Sequence, residues 1–186
     1  MQTRKSKSKT RTKTNYRWLV KIILVSVIAS IVFTFASSKI LGRAGTIVAF
    51  LILIVFIGIG VLFDIVGVAV VAAHEAPFHS MATRRQRGAA EAIRLLKNAG
   101  KVSSFCNDVV GDVSGIISGA TAALIAAKLM QSLSAESLLI QLLIPGAVTG
   151  LTIGGKAAGK TLAFNHSTAI VFRVGKLMSF FSKRLR

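Results

Sequence analysis

From Phe105 to Met130 the sequence reads FCNDVVGDVSGIISGATAALIAAKLM. It is apolar enough and, at about 1.5 Å per residue, long enough to cross a bilayer as a helix. Yet it opens with Asn107, Asp108 and Asp112. An acid in a membrane span costs several kcal/mol unless it is paired, hydrated or bound to a cation. Asp108 and Asp112 are four apart and share a helix face. Gly111, Gly115 and Gly119 repeat that spacing, with Ser114 and Ser118 beside them. Such glycines admit a close neighbour. The stretch reads as an interior helix with carboxylates at one end, and the remaining chain as its cover.

Other apolar runs set the class. The expected spans are Trp18–Ser38, Thr46–Ala73, Phe105–Met130 and Ser137–Ala158. With 53% hydrophobic residues and a mean hydropathy of +0.67, the chain reads as all-α, a polytopic membrane protein of about four transmembrane helices. The first run follows a basic tract, as a secretory signal would, and Ala36-Ser37-Ser38 resembles a cleavage site. It is longer than a signal's apolar region, so an uncleaved helix is expected. Between spans two and three, Arg87–Asn98 is amphipathic, with Ala89, Ile93 and Leu96 on one side. Ile170–Phe181 is apolar on one side and basic on the other. Both are expected to be interfacial helices.

The net charge of +18 comes from 24 basic and 6 acidic residues. Nucleic acid is excluded as a partner, because the basic residues cluster between apolar runs. Residues 1–17 hold seven Lys or Arg and no acid, residues 74–104 hold six, and residues 159–186 hold six. The link near residue 40 holds only Lys39 and Arg43, and Gln131–Glu136 holds none. The positive-inside rule then places both termini and the 74–104 loop in the cytoplasm, as in a multi-pass protein of the plasma membrane. The 1–17 tail is expected to be disordered against anionic lipid headgroups. Cys106 alone allows no internal disulfide.

Two motif matches are read as chance. Gly154 to Thr161 fits GxxxxGK[ST], but it ends an apolar span and lacks the strand before it that a phosphate loop needs. His74, Glu75 and His79 give HExxxH, the wrong spacing for a zinc protease, with Pro77 inside it. No catalytic constellation and no organic cofactor are expected. The intramembrane acids carry more. Asp64, Glu75, Asp108 and Asp112 lie within or at the ends of spans. One reading pairs them with Lys or Arg from the loop. The other makes them a cation path, since Mg²⁺ prefers carboxylate, carbonyl and hydroxyl oxygens. Unwound backbone near Pro145–Gly146 or Gly154–Gly155 would add carbonyls. The glycine series 111/115/119 and 146/150/154 are expected to join the third and fourth spans.

The order of features resembles the transmembrane domain of the CNNM, CorB and CorC family of magnesium and cobalt transporters. The residues that carry this are Glu75-Ala76-Pro77-Phe78-His79-Ser80, then Gly88-Ala89-Ala90-Glu91-Ala92-Ile93-Arg94-Leu95-Leu96, then Val110-Gly111-Asp112, and Ile153 to Ala163. The resemblance covers about residues 50–186. It implies a homodimeric membrane domain that transports or binds a divalent cation, Mg²⁺ or Co²⁺, normally followed by cytoplasmic CBS and CorC-type domains, which would begin where this chain stops. It divides the chain into a tail (1–17), an extra first helix and link (18–45), a CorB/CorC-like domain (46–163) and a basic amphipathic helix (164–186). The expected ligands are Asn107, Asp108, Asp112 and Ser114, with Glu75 and Asp64 flanking. Lys156 stands where the family has Glu, Gly159 where it has Pro, and Asp112 where it has Asn. A second expectation follows: an accessory protein in which Lys156 seals the site and the basic face binds lipid or a cytoplasmic partner. A third is a holin-like pore former.

Overall fold

A computed structural model describes residues 16–43, 45–133 and 138–184. The expected disordered tail, save its last two residues, lies outside them, as does part of the Gln131–Glu136 link. Every regular element among the described residues is helical: α1 (Tyr16–Arg43), α2 (Thr46–Ala72), α3 (Ala76–Thr83), α4 (Ala89–Lys97), α5 (Ala99–Ser104), α6 (Asp112–Leu133), α7 (Leu138–Asn165) and α8 (Ser167–Arg184). A π-helical segment, Phe105–Gly111, joins α5 to α6 without a break. Among the described residues, three stretches are long and apolar enough to span a membrane: α2, Ala99–Ser132 and α7. The first expected span falls on α1, a 28-residue helix.

The third long helix starts at Ala99, six residues before the expected start. Asn98 ends α4, its side-chain amide donating to the Arg94 carbonyl at 3.1 Å, and its own carbonyl accepts from Val102 N–H at 3.0 Å. One residue therefore serves as the end of one helix and the start of the next. This places Asp108 and Asp112 inside a long helix instead of at its mouth. The helix is interior as expected: 56% of its most apolar window is buried, against 17% for α2 and 6% for α7. The fourth span also runs on, to Asn165, so Lys156 and Lys160 lie within α7. The backbone stays helical through Pro145 and through Gly154–Gly155. The expected unwinding is absent at both places.

The glycine series act as expected at one position, Gly111, where a Cβ would lie 3.6 Å from Lys156 Nζ on α7. A Cβ at Gly115, Gly119, Gly146, Gly150 or Gly154 would meet nothing within 4 Å. The close approaches fall on other glycines. A Cβ at Gly155 would lie 3.1 Å from Val61, and one at Gly159 would lie 2.8 Å from Ile65. These set α7 on α2.

The amphipathic segments pack on the chain itself. Ala89, Ala92, Leu95 and Leu96 of α4 are buried. Ala92, Leu95 and Leu96 join Ala69 and Val70 of α2, Phe78 of α3, Ala163 of α7 and Val171 of α8 in one cluster. Its members α3, α4 and α8 form a cap over the end of α2. Pro77 starts α3, where its missing N–H is harmless. Gly88 and Gly175 cross backbone to backbone: a Cβ at Gly175 would lie 2.5 Å from the Gly88 carbonyl, and Gly88 has φ +95°. The apolar stripe of α4 is thus buried against protein. The outer half of α8 differs, since Leu177, Phe180 and Phe181 are exposed.

Candidate functional site

Gly60, Asp64 and Gly67 recur at i, i+4 and i+7 and form one face of α2. That face lies on the π-helical segment and the start of α6. A Cβ at Gly60 would be 3.2 Å from Ser114 Cβ and 3.7 Å from the Gly111 carbonyl. A Cβ at Gly67 would collide with Asn107 Oδ1. Asp64 sits between these two contacts on the same stripe and is only 5% exposed. The glycines explain why a carboxylate can be buried here: without side chains on either side of it, the two helices close over it.

The seam is under-satisfied. Asp64 Oδ2 and Asn107 Oδ1 are buried and find no hydrogen-bond partner among the described residues, while Asn107 Nδ2 donates to Ser103 Oγ at 3.3 Å. A buried acceptor left bare costs about 1–3 kcal/mol, so two on one seam call for an explanation. A π turn beside them fits a functional site, since such insertions interrupt the α-helical bonding ladder. Ser114 and Ser118 are buried on the same helix run, and Ser118 Oγ donates to the Ser114 carbonyl at 2.8 Å.

The other expected ligands lie elsewhere. Asp112 is at the rim, its side chain 71% exposed, and Lys156 Nζ approaches it at 3.8 Å. The same ammonium donates to the Gly111 carbonyl at 3.3 Å. Lys156 is thus held at the end of the π segment, next in sequence to Gly155, which packs against Val61. Asp108, in the π segment, is exposed. Glu75 precedes α3, where its exposed carboxylate lies 3.6 Å from His79 Nε2. The HExxxH spacing therefore makes a surface contact. The GxxxxGK[ST] match is continuous helix throughout. Among the described residues no three His, Cys, Asp or Glu side chains converge as a metal cluster.

Of the six expected ligands, the fold brings Asp64, Asn107 and Ser114 to one seam. It puts Asp112 at the edge and leaves Asp108 and Glu75 outside. Sequence reasoning missed the part played by Gly60 and Gly67. Their spacing around Asp64 is visible in the sequence, but spacing alone does not say that this face meets another helix. The chain matches no family model, no curated protein and no solved structure.

Proposed function

We propose that this chain is an integral membrane protein that binds a cation at the seam between α2 and the π-helical segment, and moves it across the membrane. A divalent ion of the Mg²⁺ class is the first candidate, with Co²⁺ beside it. The observation that carries the reading is the pair of bare buried acceptors, Asp64 Oδ2 and Asn107 Oδ1. Both are hard oxygens, the donors that Mg²⁺ selects. Asp64 would supply the charge and Asn107 a neutral oxygen, with Ser114 next along the seam. Mg²⁺ keeps several waters, so two protein oxygens are an adequate set. Around this site the proposal places four spans including α1, with cytoplasmic termini and a plasma-membrane location from the distribution of basic residues, and a homodimer, which the resemblance to CorB and CorC implies.

A second reading has its own observation. Lys156 touches both Asp112 and the Gly111 carbonyl. In it the ammonium is a tethered cation that closes the path, and the protein is a non-transporting accessory. Melting in detergent with and without Mg²⁺ separates the two. On the first reading Mg²⁺ raises the Tm of the wild type, and Asp64→Asn or Asn107→Leu removes the response. A wild type indifferent to Mg²⁺ beside a responsive Lys156→Glu would sink the transporter and favour the sealed relative.

A further inference from the structure

A cavity of about 370 Å³ lies between α1, α2 and the α5–α6 run. Among the described residues its lining is apolar apart from Ser114. Exposure is graded along it. Val25 of α1, Phe63 of α2 and Phe105 are 46%, 39% and 46% exposed, whereas Val113 and Ile117 are 6% and 3%. The cavity therefore has a mouth and a floor. Gly67 lies on Asn107 and Gly60 on Ser114, so α2 runs antiparallel to α5–α6. Helix α1 lies along the π-helical segment and α6, and its Val25 shares the exposed part of the cavity wall with Phe63 and Phe105. The early residues of α1 and of the α5–α6 run, and the late residues of α2, then share one end. That end is the mouth.

Two cations flank it. Lys21 is four residues before Val25, and Lys101 is four residues before Phe105. Each lies one helical turn, about 6 Å, beyond a mouth residue on that residue's own face. Both are exposed. Their stems can follow the apolar surface while the ammonium groups reach the polar headgroup layer. An apolar slot in a membrane span with a pair of cations at its mouth is complementary to an anionic amphiphile.

We propose that this cavity holds one acyl chain of an anionic phospholipid of the surrounding membrane, with the headgroup phosphate between Lys21 and Lys101. The site wedges the lipid between α1 and the interior helix. It requires that the chain be embedded in a bilayer but is independent of the cation seam, so loss of Mg²⁺ binding leaves it standing.

The test places a sole tryptophan at the mouth, Phe105→Trp in a Trp18→Phe background. The protein is put in phosphatidylcholine vesicles in which the same minor fraction is chain-brominated phosphatidylglycerol or chain-brominated phosphatidylcholine. The brominated phosphatidylglycerol should quench about threefold more. Lys21→Gln with Lys101→Gln should abolish the preference. Arg94→Gln with Lys97→Gln, which removes equal charge from exposed positions on α4, should leave it intact. Equal quenching by the two lipids, a preference that survives loss of both mouth lysines, or one lost with the α4 charges overturns the proposal. Native mass spectrometry of the unlabelled wild type gives a reading that does not depend on the tryptophan. It should retain phosphatidylglycerol where the Lys21→Gln, Lys101→Gln protein does not, and equal retention by both overturns the site.

Discussion

The seam around Asp64 and the cap of α3, α4 and α8 close by different physics. The cap resembles a soluble core. Amphipathic helices bury Phe78, Leu95, Leu96 and Val171 against one another, and apolar area removed from water holds them. The seam has no such force, since lipid is as apolar as the side chains it would replace. There, close approach at glycine, dispersion and polar contacts hold the helices. The cap should therefore respond to lost volume, and the seam to added volume.

The largest effect is expected in the cap. Phe78 is fully buried, and Phe78→Ala should cost about 3–5 kcal/mol. Denaturant titration in mild detergent, followed through a probe on α4, measures it. A loss below about 1 kcal/mol would show that the cap is not closed in solution.

The cap also contains one contact of the seam's kind. Gly175→Ala should cost about 1–3 kcal/mol by overpacking, because its methyl group would press on the Gly88 carbonyl. Gly100→Ala, where a Cβ meets nothing within 4 Å, should be neutral or slightly stabilising. Equal Tm shifts in the two variants would remove the backbone crossing from the argument.

In the seam, Gly67→Ala should cost about 1–3 kcal/mol and displace Asn107. Gly58→Ala on the same helix and Gly150→Leu on α7 have open space at the new Cβ and should not lower the Tm of the chain. If Gly150→Leu destabilises as much as Gly67→Ala, the helices meet along the other glycine series after all.

The smallest effect should come from the rim. A pair buried in the interior would lose about 3–5 kcal/mol on Asp112→Asn. The Asp112 side chain is 71% exposed, so after screening the loss should be about 1 kcal/mol or less. The paired substitutions Asp112→Asn and Lys156→Met, measured singly and together, give the coupling directly.

The sequence alone determined the helical class, because runs of this length and hydropathy leave few other ways to satisfy a backbone. It determined the end of α4 at Asn98 and much of the apolar stripe of α4, since each is set by neighbours within one or two turns. It also singled out Asp64, Asn107 and Ser114 as unusual residues for their surroundings. Tertiary structure decided the rest. Helical spacing says which residues share a face, but not which face meets a neighbour. Gly60 and Gly67 look no different in sequence from Gly115 and Gly150, and only register and crossing make the first pair a seam. In the same way, an apolar stripe does not say whether lipid or protein covers it. The α4 stripe is covered by α8 because Gly88 and Gly175 let the two backbones touch. Asp64 is buried, while Asp108 and Asp112 are not, because the glycines that flank it face another helix.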